Sequence, residues 1–217
     1  MIVYRSMDRQ ALDAAYNNSA AVADSDRYLA DWQRRSEALR ARMPDHLNLV
    51  YGDAPRTCLD FFATKRAGAP TLLFFHGGYW QRNAKEGFSF VAEGPLAHGY
   101  HVAVAGYTLA PAATMDGIVR EARTALHWLH QNLATLGGDS TRLYVSGWSA
   151  GGHLTAMVMR SGGGRWSRRQ RAFRSGADPP LLSQRQARPR RRTGAPQQPI
   201  AESAGARGQA HYSLWLG

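Results

Sequence analysis

Gly147-Trp148-Ser149-Ala150-Gly151 sets one hydroxyl between two glycines, at the spacing of a nucleophile carried on a sharp strand-to-helix turn. Small residues on either side relieve the crowding that such a turn creates. The setting fits, because the apolar run Leu143-Tyr144-Val145 precedes the pentad and Leu154, Ala156, Met157 and Val158 continue a helical pattern begun at about Ala150. Ser149 in that position would attack an acyl carbon and carry a covalent intermediate. The competing reading is a serine in an ordinary glycine-rich turn, and the strand-turn-helix setting argues against it.

Acyl transfer also needs donors for the negative charge of its tetrahedral intermediate. His76-Gly77-Gly78-Tyr79-Trp80 follows the apolar run from Thr71 to Phe75, and its glycines let backbone N–H groups approach a ligand with no Cβ in the way. Gly77, Gly78 and Ala150 are the expected oxyanion donors. Taken alone, the stretch reads equally well as a tight turn in which His76 and Trp80 pack. Two motifs in the right order shift the balance toward chemistry. His153 lies one helical turn past Ser149, whereas the base in this arrangement comes from a separate, later loop, so His153 is expected to pack or to sit half-exposed. His127 and His130 fall on a helix away from both motifs. Clusters with metal-ligand spacing and a phosphate-binding glycine loop before a lysine are both missing from the sequence, so no metal or cofactor is expected.

These residues must be held by strands and helices. From Thr71 the pattern alternates between the two: strands at Thr71 to Phe75, His101 to Ala105 and Arg142 to Ser146, helices at Ala84 to Ala97 and Met115 to Leu136. Continuous apolar strands separated by helices imply the α/β class, a mostly parallel sheet with helices on both faces. Upstream, Tyr28, Leu29, Trp32 and Leu39 give an amphipathic helix over Asp24 to Met43, with Asp24-Ser25-Asp26 as its cap. Leu47, Leu49 and Tyr51, then Cys58 to Thr64, read as an opening pair of strands closed by Gly68 and Pro70.

The chain has 217 residues, 44% of them hydrophobic, an ordinary composition for one domain. A single cysteine, Cys58, forms no intrachain disulfide, and Met1 to Met7 lacks the apolar run of a signal peptide. No stretch approaches the roughly 18 consecutive apolar residues of a membrane span. A soluble, cytoplasmic protein is expected. The net charge of +11 suggests nucleic acid until its distribution is examined. Residues 1 to 160 carry 16 Lys+Arg against 14 Asp+Glu, whereas residues 161 to 217 carry 11 Arg against only Asp178 and Glu202. The basicity belongs to the tail, and the body offers no basic face that would mark a nucleic-acid partner; a small-molecule substrate is expected instead.

Residues 1 to 160 resemble the kynurenine formamidase (arylformamidase) branch of the α/β-hydrolase superfamily, close to the esterases with a His-Gly-Gly loop. The resemblance rests on Tyr16-Asn17-Asn18, His76 to Trp80, Tyr107-Thr108-Leu109-Ala110-Pro111, the helix Ile118 to Leu129, and Gly147 to Gly152. It implies an α/β-hydrolase fold, Ser149 as nucleophile, Gly77, Gly78 and Ala150 as oxyanion donors, Trp80 beside the substrate, and N-formylkynurenine or a related aryl formamide or ester as substrate. A general carboxylesterase is the alternative, and the reading from another class is a non-catalytic protein with a basic nucleic-acid-binding tail.

In that fold the triad acid and histidine follow the serine, on loops after later strands. Residues 161 to 217 contain no valine, one isoleucine and no apolar run longer than Leu214-Trp215-Leu216, so the fold is expected to be incomplete after the helix from Ala150. Asp178 and His211 are the only candidates in the right order, and no strand pattern precedes Asp178. Three readings of this segment stand: a basic disordered arm for nucleic acid or an acidic partner, a low-complexity extension, or the wrong frame of the normal continuation. We prefer the third. Codons compatible with Trp166 to Pro199, read one base out of register, can encode an apolar strand, a charged helix and a proline-bounded loop. The expected division is therefore an α/β-hydrolase part, 1–160, and an Arg-rich tail, 161–217.

Overall fold

The computed structural model describes residues 1–17 and 19–160. The tail segment 161–217, with Asp178 and His211, lies outside the described residues, as does Asn18.

The chain opens with a short antiparallel ribbon, β1 (Ile2–Tyr4) and β2 (Met7–Asp8), and a helix, α1 (Arg9–Ala15). The Asp8 carboxylate caps α1 by accepting from the Ala11 N–H at 2.8 Å. Helix α2 (Ser25–Arg42) then leads to β3 (Leu49–Val50) and β4 (Cys58–Phe62), which pair antiparallel. Strand β5 (Ala69–Phe75) is followed by a 3-10 helix (Lys85–Ala92) running into α3 (Glu93–Ala97). Next come β6 (His101–Ala105), α4 (Met115–Asn132), β7 (Gly138–Gly147) and α5 (Ala150–Arg160).

The sheet order is β3-β4-β6-β5-β7, with β6 and β7 both parallel to β5 and the two pairings of β4 antiparallel. Side chains alternate between two cores, as strand geometry requires. Leu59, Phe61, Leu73, Phe75, Ala103, Ala105, Leu143 and Val145 pack with Ile118, Leu126 and Leu129 of α4 and Leu154 and Val158 of α5. On the other face Phe62, Phe74, Val102 and Val104 pack with Leu39 of α2 and Phe88 and Ala92 of the 3-10 helix. That opposite face also holds Asp60, fully buried in the middle of β4. Its carboxylate accepts from Lys85 Nζ at 2.7 Å and the Asn48 N–H at 2.9 Å, and is paired with Arg40 of α2. The buried charge is thereby matched by cations from two different elements.

Several elements differ from their sequence-based expectation. Strand β5 begins at Ala69 and includes Pro70, which fits because the ladder to β7 is irregular between Ala69 and Thr71 and needs no N–H there. The stretch expected as one helix over Ala84 to Ala97 is a 3-10 turn followed by one short α turn. Gly87 and Gly94 weaken the α conformation, and Pro95 has no amide to donate to the preceding turn. Asp24 precedes α2 with φ 58, and its side chain makes no capping bond. A capping side chain needs the extended backbone that Asp24 lacks, and its carbonyl instead accepts from Arg27 and Tyr28. No helix among the described residues is long and apolar enough to cross a membrane.

Candidate active site

Strands β5 and β7 are adjacent and parallel, and Phe75 is in register with Gly147. The residues that follow each strand therefore emerge at the same edge of the sheet, which is where α/β folds hold their ligands. His76 to Trp80 follows β5, and Trp148-Ser149 follows β7. The Trp148 N–H donates to the Phe75 carbonyl at 3.2 Å, joining the two strand ends directly.

Steric exclusion builds the turn at Ser149. A Cβ on Gly147 would lie 2.3 Å from the carbonyl of Gly151, and one on Gly151 would lie 1.9 Å from the Phe75 oxygen. Neither position accepts a side chain. Ser149 itself adopts φ 54, a left-handed conformation costly for a serine, and its side chain is exposed at the top of the turn. Ala150 opens α5, so its N–H has no intrahelical acceptor. The neighbouring Gly151 N–H is taken by the Trp148 carbonyl at 2.8 Å, whereas the Ala150 amide makes no hydrogen bond among the described residues.

Gly77 faces this turn. A Cβ built on it would come within 2.7 Å of both the Trp148 carbonyl and the Trp148 ring, and 3.1 Å from the Ser149 Cβ. Gly78 follows with φ 121, then Tyr79 and Trp80 at φ 53 and 58, so the chain coils tightly after Gly77, which lies against Ser149. The N–H groups of Gly77 and Gly78 make no hydrogen bond among the described residues. The structure thus brings Ser149, Gly77, Gly78 and Ala150 to one place. Trp80 is half-buried beside them, edge-on to the His153 ring at a centroid distance of 5.3 Å.

His76 is fully buried and does not point to the serine as a base would. Its ring stacks on Tyr107 at 4.3 Å and on Phe88 at 5.7 Å, with Nδ1 hydrogen-bonded to the Gly77 carbonyl at 2.8 Å. Burial pushes its pKa down to about 4, so the ring is neutral at pH 7. His153 is exposed on α5, four residues past Ser149. The candidates for triad acid and base, Asp178 and His211, lie outside the described residues.

Supports that sequence reasoning missed surround the glycine loop. Tyr107 donates its hydroxyl to the His76 carbonyl at 2.8 Å, and Asn83 Nδ2 donates to the Gly77 carbonyl at 3.1 Å. Arg56 donates to the carbonyls of Tyr107 and Asn83 at 2.9 and 2.7 Å. The Ala110 N–H donates to the Trp80 carbonyl, and Glu121 accepts from the Thr108 N–H at 2.7 Å, which fixes the Tyr107 to Pro111 stretch against the loop. Tyr79 donates to the Tyr16 carbonyl at 2.9 Å, bringing the Tyr16-Asn17 segment to the same region. Tyr107 and Glu121 fell within matched stretches, the run ending in Pro111 and the helix Ile118 to Leu129. Asn83 and Arg56 had no signal. A separate cavity of about 80 Å³, lined by Arg56, Cys58, Lys85 and Glu86 among others, includes none of the residues near Ser149. Among the described residues no group of three His, Cys, Asp or Glu could hold a metal ion.

Comparison with known proteins places this arrangement. Kynurenine formamidase from Salmo salar is 35% identical over 127 residues, covering 57% of this chain and 42% of that protein. Kynurenine formamidase from Danio rerio is 29% identical over 164 residues, covering 72% and 55%. Esterase LipC from Mycobacterium tuberculosis is 33% identical over 127 residues, covering 56% and 31%. A solved structure described as a thioesterase, from a Silicibacter species, superposes with a TM-score of 0.60 at 32% identity over 67% of this chain and 54% of its own. The chain thus spans about half the length of the curated relatives it matches, and within that span it has the α/β-hydrolase fold. The BD-FAE family profile matches residues 59–171, more than half of the chain, and takes in both the glycine loop and the serine turn: the chain belongs to the BD-FAE family.

Proposed function

We propose that this chain carries the nucleophile and oxyanion parts of a serine hydrolase acting on a small ester or aryl formamide of the N-formylkynurenine kind. The observation that carries the reading is the placement of Gly77 against Ser149, at the adjoining ends of two parallel strands. Ser149 would attack the acyl or formyl carbon, and the uncommitted N–H groups of Gly77, Gly78 and Ala150 would take up the oxyanion charge. Collapse of the intermediate releases the alcohol or arylamine and leaves Ser149 acylated, and water then frees the acid. Trp80 would line the substrate site. Two relatives named kynurenine formamidase favour the formamide, and one named esterase favours the general carboxylesterase.

A proton acceptor for Ser149 completes this scheme, and past Arg160 the sequence has no apolar strand pattern leading to a histidine. We therefore expect the 217-residue chain to turn over slowly at best, and a version with its reading frame restored after Ser161 to be active. Loss of a triad member leaves only about 10³- to 10⁴-fold over the uncatalysed reaction. The deciding experiment is turnover of a formanilide and of a short p-nitrophenyl ester by the restored protein. Preference for the formanilide supports the formamidase reading, and a strong ester preference replaces it with the carboxylesterase.

A further inference from the structure

We propose that Asn83 is a positioning residue that fixes the direction of the Gly78 N–H by anchoring the Gly77 carbonyl. The inference rests on the reading of Gly78 as an oxyanion donor to Ser149 chemistry, and it assigns to a side chain outside both motifs the task of aiming that donor.

The argument begins with the peptide plane. The Gly77–Gly78 peptide is trans, since the cis bond among the described residues is Ala110–Pro111. In a trans peptide the C=O and the following N–H point in opposite directions and rotate together. Holding the Gly77 oxygen therefore sets where the Gly78 N–H points. A Gly-Gly pair lacks the Cβ atoms that restrict backbone rotation, so hydrogen bonds must hold it, as the Gln81 and Arg82 amides do at the Gly78 oxygen.

Two donors converge on that oxygen. His76 Nδ1 lies at 2.8 Å and Asn83 Nδ2 at 3.1 Å. The His76 bond is between neighbouring residues, with its ring held by stacking on Tyr107 and Phe88. Asn83 is six residues away, and it ties the peptide to a different part of the molecule. Its own backbone is held by Arg56, whose guanidinium donates to the Asn83 carbonyl at 2.7 Å and to the Tyr107 carbonyl at 2.9 Å. Asn83 also limits Gly78 sterically: a Cβ on Gly78 would lie 2.8 Å from Asn83 Nδ2 and 2.4 Å from the Arg82 carbonyl oxygen. The carboxamide both bonds the carbonyl and packs on the α-carbon that follows it. Asn83 has φ 72, a region that asparagine tolerates better than most residues, so the position suits this side chain.

Two substitutions separate the anchor from the backbone. Asn83→Gly removes the carboxamide while keeping a residue that tolerates a positive φ, and Asn83→Asp keeps the shape while removing the donor. The full 217-residue chain, labelled with 13C and 15N at glycine, reports the Gly77 carbonyl resonance, which moves upfield when a donor is lost. The expected result is an upfield shift in both variants, with phosphonylation of Ser149 by a fluorophosphonate slowed about five- to tenfold, the rate equivalent of one net hydrogen bond. An unmoved resonance in both variants overturns the anchor. A moved resonance with an unchanged phosphonylation rate overturns its role in the site. Failure of the nucleophile reading has a different signature: the chain with Ser149→Ala would then be labelled as fast as the parent, and the resonance alone would still decide whether Asn83 holds the peptide.

Discussion

The turn at Ser149 and the loop at Gly77 meet at one edge of the sheet, yet they are held by different kinds of force. Contacts that forbid side chains shape the turn: Gly147 against Gly151, and Gly151 against the Phe75 carbonyl. The first lies within five residues, and the second reaches across to the end of β5. The glycine loop also excludes side chains, at Gly77 against Trp148 and at Gly78 against the Arg82 carbonyl, but it is held besides by the side chains of Tyr107, Asn83 and Arg56, with Lys85 fixing the helix that follows. The Ser149 turn is thus fixed by sterics, while the Gly77-Gly78 loop adds side-chain hydrogen bonds to its steric contacts. The turn should fail abruptly when altered, and the loop by degrees.

The largest effect is expected at the turn. Gly151→Ala would drive a methyl group into the backbone oxygen of β5, and no side chain can move to relieve it. The cost should exceed the about 4–5 kcal/mol at which single substitutions become exceptional. Denaturant unfolding would register this as loss of the folded chain, and a variant with a near-native midpoint would show that the turn can relax. Asp60→Ala comes next, since it takes the buried partner from Arg40 and leaves Lys85 with only the half-exposed Glu86 carboxylate. Removing one partner of a buried ion pair costs about 3–5 kcal/mol, read by the same titration.

The third test uses pH. His76 has a folded-state pKa near 4, below the 6.5 of an exposed histidine, because its ring is buried between Tyr107 and Phe88. Between those values the unfolded chain binds the extra proton, so stability is fully present above about pH 6.5 and is lost as pH falls toward 4. The loss attributable to His76 is about 3 kcal/mol. His76→Gln should flatten that window, and an unchanged slope would place the titration elsewhere. The smallest effect belongs to Tyr107→Phe, which removes one hydrogen bond to the His76 carbonyl and keeps the stacked ring. About 1 kcal/mol is expected from the unfolding midpoint.

The same contrast governs what could be read from the sequence. The turn at Ser149 and the glycine loop were legible because their spacing encodes local backbone turns, and β6 and α4 were legible from unbroken apolar periodicity. The ribbon β1–β2 and helix α1 were not, for α1 buries no side chain and so leaves no pattern. Strand β7 runs from Gly138 rather than from Arg142, because its first residues are polar and only half-buried. Asn83 and Arg56 act through backbone carbonyls, and any carbonyl would serve, so nothing in their neighbours' identity announces the contact. The fold's order would put a triad acid and histidine after Arg160, and the candidates there, Asp178 and His211, fall outside the described residues.

The central claim is that Ser149 is the reactive group of this chain. The most direct test is prolonged exposure of the purified protein to a tagged fluorophosphonate, followed by mass-spectrometric location of the adduct. The predicted result is a single adduct on Ser149, formed faster after restoration of the frame and lost in Ser149→Ala. An adduct on another residue, or labelling that survives Ser149→Ala, would contradict it.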